Sequence, residues 1–317
     1  MAGAEMKPKS WKMFVWPMIG AVAIGVSFWL LSKELRGLSW PALWAGIEAL
    51  NLWHWSMIVL CTAGCYVTLT MYDQVALAHL GKRVNVVFVG LCALTTYSLS
   101  HTIGASAFTG AVVRYRAYTS KGLTGAEVGI LVTFCSLTFS LGVMILLALA
   151  FLIDPGLEAR FAGALSPSVV RWLAVGVLGV IVLYLVFSAL GLPPLRIRGF
   201  SVAYPRLSIA LRQITVAPIE TLFAAGIVYF ALPEVGNPGF VVVAGVFVVS
   251  FSLALLSHAP GGLGVFELAM LTGLPEFSNE SVLAALIVFR LFYLIFPLIL
   301  GLVTVAVFEH RQIKAGR

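Results

Sequence analysis

Long uninterrupted apolar runs constrain this chain more than any other feature. Eight are present, at residues 14–31, 52–72, 86–112, 127–153, 169–190, 214–232, 239–273 and 282–308. A run of about 18 or more such residues matches the length of a helix that crosses a hydrocarbon layer. Within that layer every backbone N–H and C=O must find its partner inside the protein, which leaves helices or closed barrels. The runs lack the alternation of apolar and polar residues that marks barrel strands, so helices are expected. Only 10% of the residues are charged, against about 25% in soluble domains. The expected fold class is therefore all-α, a polytopic integral membrane protein. The first run, Phe14–Leu31, is read as a retained helix, because no small-residue cleavage site follows a short core.

Two of the runs carry the same polar break. Leu99-Ser100-His101-Thr102-Ile103-Gly104 returns 157 positions later as Leu256-Ser257-His258-Ala259-Pro260-Gly261. The distribution of Lys and Arg decides how these two segments run. If all eight cross fully, the cations divide 10 to 9 between the two faces. If 86–112 and 239–273 instead turn back as re-entrant hairpins, 15 cations share the face of the N-terminus and 4 lie opposite, with Arg290 in the membrane. The excess of cations on cytoplasmic loops favours the hairpins. The expected architecture is about six full transmembrane helices plus two opposed hairpins. It forms a single transmembrane domain over 1–317 with inverted-repeat halves at about 14–153 and 169–308, both termini being cytoplasmic. Such paired breaks point to a transport site at the midplane.

Charges at membrane depth are costly, which makes each a candidate for binding. Asp73 ends the run 52–72, Glu220 lies early in 214–232, Glu267 in the second hairpin and Arg290 in the last run. Arg114 and Arg116 close the first hairpin. Arginine forks suit a phosphate, and the acids suit an ammonium group. His101 and His258 sit at the two expected tips and titrate near neutrality when unperturbed. Gly104, Pro260, Gly261, Gly262 and Gly264 are the expected turn residues, because proline stops a helix and glycine frees the backbone. Cys61, Cys65, Cys92 and Cys135 all fall in apolar runs and read as small buried hydrophobes. Two histidines do not make a metal site, no nucleotide loop or hydrolase motif is present, and neither metal nor cofactor is expected. The net charge of +7 resides in short loops facing anionic lipid, so nucleic acid is not an expected partner.

Several motifs resemble one family. They are Tyr72-Asp73 with Ala76-Leu77 and Gly81-Lys82-Arg83, Gly110-Ala111-Val112-Val113-Arg114-Tyr115-Arg116, Phe134-Cys135-Ser136-Leu137-Thr138-Phe139, Ser257-His258-Ala259-Pro260-Gly261-Gly262-Leu263-Gly264-Val265-Phe266-Glu267 and Phe289-Arg290-Leu291-Phe292-Tyr293. Together these resemble the lysylphosphatidylglycerol synthase/flippase family, the membrane part of the multiple peptide resistance factor and its stand-alone relatives. The resemblance implies a bacterial inner-membrane protein that moves aminoacylated phosphatidylglycerol or a related phospholipid between leaflets, in the setting of antimicrobial peptide resistance. It places Asp73, Arg114, Arg116 and Glu267 at the polar positions of the motif, with Glu220 a less close match. No soluble aminoacyltransferase domain is expected in this chain, so no enzyme activity is expected of it. A carrier for a small solute or ion, the membrane part of a phosphatidylglycerol lysyltransferase, and a membrane partner for a separately encoded synthase remain open readings. Anionic or aminoacylated phospholipid, such a synthase and a second copy of the chain are the candidate partners.

Overall fold

The structure, a computed structural model, describes residues 40–103, 106–161, 166–191, 195–197, 200–202, 204–256, 262 and 264–315. The expected helix over 14–31, together with Gly104, His258, Pro260 and Gly261, lies outside the described residues. Five helices among the described residues are long and apolar enough to cross a membrane: Leu52–His79, Gly125–Ile153, Pro167–Leu190, Leu207–Ala231 and the composite Asn279–Phe308.

In chain order the elements are α1 (Trp40–Glu48), α2 (Leu52–His79), α3 (Val86–Ile103), α4 (Ser106–Thr119), α5 (Gly125–Ile153), α6 (Leu157–Arg160) and α7 (Pro167–Leu190). A short antiparallel ribbon, β1 (Leu195–Ile197) with β2 (Phe200–Val202), precedes α8 (Leu207–Ala231). The chain continues through α9 (Phe240–Leu256), α10 (Val265–Gly273) and α11 (Asn279–Arg290), then a π-helical turn at Leu291–Ile295 and α12 (Phe296–Ala315). The ribbon interrupts what reads in sequence as a basic loop.

Local chemistry sets the helix ends. Asn51 caps α2 by accepting from the backbone N–H of His54 at 3.1 Å. Thr124 and Glu127 form a reciprocal capping box at the start of α5, which satisfies two of the N–H groups left bare at a helix N-terminus. Helix α7 begins with Pro167 at its first position and stops at Gly191, whose φ of +59° closes the helix in the left-handed region.

Both interrupted segments fold back on themselves. Lys82, just before α3, pairs with Glu127, just after α4, at 2.8 Å. The two ends of the α3–α4 pair therefore lie at one end of the bundle. Gly236, before α9, lies against the backbone carbonyl of Glu276, after α10. Arg160, following α5, donates to the Gly273 carbonyl at 2.9 Å and to Glu276 at 2.7 Å. The ends of the α9–α10 pair thus share the other end of the bundle. His54, opening α2, meets Glu234, following α8, at 3.3 Å, so these two helices run antiparallel. Long helix, folded-back pair, long helix is the order in both halves, and the two pairs enter from opposite ends.

Small residues let the long helices approach. Gly64 on α2 lies under the Phe223 ring, and Gly226 on α8 lies against Cys61. Gly142 on α5 abuts Ala217 on α8 so closely that an added methyl group would collide with its backbone. Between apolar helices in lipid such close packing replaces the hydrophobic drive. Helix α7 lies at the periphery. Only Ala174, Ile181 and Ser188 of it are buried, seven residues apart, while Trp172, Leu173, Val180 and Val182 face outward. That outer apolar face suits lipid contact. All four cysteines are buried, as their apolar surroundings predict.

Candidate functional site

Three acids and Arg114 are buried, and Arg290 is partly buried, in the interior where the folded-back pairs approach the long helices. Asp73, six residues from the end of α2, is fully buried, and Arg114 on α4 reaches it. Its Nε lies 3.2 Å from each carboxylate oxygen, and a terminal nitrogen lies 2.6 Å from Oδ1. Tyr118, one turn further along α4, donates to Oδ2 at 2.7 Å, and the Cys135 thiol of α5 lies 3.5 Å from Oδ1. The guanidinium also sits 4.8 Å from the centroid of the Tyr97 ring, a cation–π arrangement. Gly110 makes room for this fork: a side chain there would meet Arg114 at 3.3 Å and Ser100 at 3.0 Å. Isolated, either charge would be prohibitive in this setting. Together, with phenol and thiol completing the carboxylate's partners, they form a saturated pair.

The second pair inverts the arrangement. Glu267, on the returning arm α10, takes both the Nε of Arg290, at 2.8 Å, and a terminal nitrogen of Arg290 on Oε1. Its Oε2 accepts from the backbone N–H of Gly264 at 2.8 Å, so the same carboxylate caps α10. Gly264 has φ +84°, and Gly262 has φ +66°, which only glycine adopts without strain. Arg290 keeps 12% of its side chain exposed, against 5% for Arg114.

Glu220 on α8 is buried without a cationic partner among the described residues. Tyr293, inside the π turn, donates to its Oε1 at 2.7 Å, and Thr221 lies 3.2 Å from its Oε2. Tyr66 on α2 in turn donates to the Tyr293 carbonyl at 2.9 Å. A π-helical turn inside a longer helix widens it by one residue and often marks a working site. Here it presents Tyr293 to Glu220 on one side and to His101 on the other, the two rings stacked at 5.2 Å. His101 also lies 5.9 Å from Tyr97, the ring beneath Arg114. A continuous line therefore runs from Asp73–Arg114 through Tyr97, His101 and Tyr293 to Glu220, with Arg290–Glu267 one turn away along the helix that carries Tyr293.

The structure thus gathers Asp73, His101, Arg114, Glu220, Glu267 and Arg290 into one interior region. Arg116 is placed elsewhere: it is exposed two residues beyond Arg114, near the end of the bundle that carries Lys121. Tyr97, Tyr118 and Tyr293 are the contacts of the buried charges that sequence reasoning passed over, since a phenol in an apolar run reads as packing. A separate buried network joins Tyr184 on α7 to Gln213 on α8, which donates to Thr138 on α5 at 2.8 Å. At the bundle end, the Arg160 hydrogen bond and charge hold the Glu276 carboxyl below its ordinary range and raise Arg160.

Comparison with known proteins places these residues in a wider setting. The family described as "Lysylphosphatidylglycerol synthase TM region" matches residues 18–301. An uncharacterized protein of Synechocystis sp., slr0712, is 26% identical over 305 residues, covering 94% of this chain and 93% of that protein. Inner membrane protein YbhN of Escherichia coli is 26% identical over 308 residues, covering 96% of this chain and 93% of its own length. Phosphatidylglycerol lysyltransferase of Staphylococcus haemolyticus is 25% identical over 281 residues, 86% of this chain but only 31% of that enzyme.

Proposed function

The chain belongs to the lysylphosphatidylglycerol synthase transmembrane-region family, and from that premise we propose that it is a lipid translocase. Its cargo is an aminoacylated phosphatidylglycerol such as the lysyl ester, or a related phospholipid, moved between leaflets. One observation carries this reading: two folded-back helix pairs enter from opposite ends, and each delivers one member of a buried ion pair to a common interior. A headgroup that carries both a phosphate and ammonium groups needs both an anion-binding and a cation-binding partner during passage. Asp73–Arg114 and Glu267–Arg290 supply both signs, and exchange of partners between an internal carboxylate and a lipid phosphate conserves the charge balance of the interior. The acyl tails travel in lipid along outer faces such as that of α7.

The two halves act as an inverted repeat within one transmembrane domain, so that one pair opens while the other stays closed. The bundle end that carries Lys82, Arg83, Arg116, Lys121, Arg206 and Arg212 faces the cytoplasm by the rule for basic loops. A bacterial inner membrane is the setting, as the name of the Escherichia coli relative states for that protein. The membrane region does the moving, and aminoacyl transfer to lipid belongs to other protein segments, separately encoded synthases among them.

Reconstitution into vesicles with labelled lysyl-phosphatidylglycerol in one leaflet tests the proposal. Leaflet exchange above that of empty vesicles is expected. Failure to move this lipid and every other phospholipid tried overturns it.

A further inference from the structure

The ion pairs account for four of the buried charges and leave Glu220 unexplained. Among the described residues, no ion pair joins it to a cation of the elements around it. Helix α2 presents Cys65, Tyr66 and Tyr72, the π turn presents Tyr293, and α8 itself adds Thr221. Helix α9 contains no charged residue, and α5 has one, Glu127, in its first turn. Arg290 is committed to Glu267 and Arg114 to Asp73. A carboxylate buried at this depth with phenol and hydroxyl partners alone is far costlier as an anion than as an acid.

Three further features make the position a switch. The Thr221 hydroxyl has one hydrogen and two acceptors in reach, Glu220 Oε2 at 3.2 Å and the Ala217 carbonyl at 3.4 Å. Pro218, inside α8 and two residues from Glu220, removes one backbone hydrogen bond and weakens the helix at that point. Beyond Tyr293, the buried Nδ1 of His101 lacks a hydrogen-bond partner among the described residues. A buried polar group left unmet is costly, and the position of His101 against Tyr293 favours a second arrangement in which it is satisfied.

We propose that Glu220 is a reversible proton-binding site at the junction of the two halves, with Thr221 as its hydrogen-bond switch and Tyr293 and His101 as the groups that sense its charge. The step is the addition of one proton from water to the Glu220 carboxylate, giving the carboxylic acid. No other bond forms or breaks. In the ionised form Thr221 donates to Oε2. In the acid form the new O–H on Oε2 donates to the Thr221 oxygen, and Thr221 turns its own hydrogen to the Ala217 carbonyl. Tyr293 keeps its proton and continues to donate to Oε1, but to a neutral acceptor, and a charge-assisted hydrogen bond is about twice as strong as a neutral one. Protonation therefore loosens the tie between the π turn and α8, and frees Tyr293 and His101 to repack toward Tyr97. The site goes beyond the lipid reading and would serve any cargo.

Infrared difference spectroscopy of the purified protein in lipid nanodiscs, between alkaline and acid buffer, tests this without any transport. The wild type is expected to gain a carboxylic-acid C=O component in acid that is lost in Glu220→Gln. In Tyr293→Phe and Thr221→Val the same component is expected to move in frequency, because each removes one of its hydrogen bonds. Persistence of the component in Glu220→Gln overturns the proposal. Should that variant fail to fold, a component unmoved by both Tyr293→Phe and Thr221→Val overturns it equally. Because no cargo is present, this outcome is independent of the lipid-exchange result.

Discussion

The two ion pairs are built from the same chemistry in opposite sense. In the first, the acid stands on a long helix and the arginine on the returning arm, whereas the second places its acid on the arm and its arginine on the long helix. The first is closed: Asp73 is satisfied by guanidinium, phenol and thiol, and almost no side-chain surface remains. The second is partly open, with both Arg290 contacts on one oxygen and the other oxygen spent on capping α10. A saturated pair fixes geometry and a less saturated one can trade partners. The comparison teaches that, under the proposed lipid passage, the Glu267–Arg290 side is the one better placed to exchange partners, and the Asp73–Arg114 side the one that holds its geometry.

The largest effect should come from breaking the closed pair. Arg114→Gln leaves Asp73 buried and uncompensated, and a loss of about 3–5 kcal/mol is expected in detergent unfolding. Replacing both partners, Asp73→Leu with Arg114→Leu, should recover most of that stability while abolishing lipid exchange, since buried pairs give way to apolar packing at little cost. Stability that stays low in the double variant would show that the pair is not saturated. Next in size, Arg290→Gln should cost about 1–3 kcal/mol, because Glu267 keeps its Gly264 donor. Its lipid-exchange rate should nonetheless fall by about tenfold or more, the loss of one charge-assisted contact of about 1.4 kcal/mol at the barrier. An exchange rate less affected than in a stability-matched core variant would remove Arg290 from the pathway.

Smaller again is Tyr118→Phe, which takes one donor from Asp73 and should cost about 1–2 kcal/mol by the same unfolding measurement. The least effect belongs to the solvent-facing pairs at the two bundle ends. Lys82→Ala and Arg160→Ala should each cost about 0–1 kcal/mol. For Arg160 the sign of the pH dependence follows from Glu276, whose carboxyl is held below its unfolded value. Its contribution is complete above the ordinary carboxylate range and is lost as pH falls through the lower folded value. The Arg160→Ala difference in melting temperature should therefore shrink in acid.

Much of this was legible in the residues. The long helices coincide with apolar runs to within several residues, because run length and backbone satisfaction leave few alternatives. The fold-back of 86–112 and 239–273 was carried by the Lys and Arg distribution, and the Lys82–Glu127 and Arg160–Glu276 contacts agree with it. Asp73, Glu267 and Arg290 stood out because charge in an apolar run is expensive, whereas Arg114 reads as one of the loop cations that close the first hairpin and is instead buried against Asp73. Their pairing pattern did not stand out, since it depends on which helix faces meet. Arg116 carries the same charge as Arg114 two residues away, and only the helical turn separates the buried from the exposed one. The β1–β2 ribbon had a readable signal in the alternation of Leu195-Arg196-Ile197 and Phe200-Ser201-Val202. The π turn had a signal that went unread: Pro297 has no N–H to give the carbonyl four residues back, that of Tyr293, which accepts from the Tyr66 hydroxyl instead.

The exposed clasps that close the two folded-back pairs also lie at opposite bundle ends. A membrane around this bundle would put Lys82–Glu127 in one aqueous compartment and Arg160–Glu276 in the other. Salt weakens such solvent-facing pairs, and at ordinary ionic strength the field of a charged lipid surface reaches them only within about 10 Å. Each aqueous compartment would thus meet a different one of the two clasps, and a change of electrolyte on one side would weaken that clasp and leave the other untouched. A molecule whose halves repeat the same design is, in this respect, polarised by its surroundings.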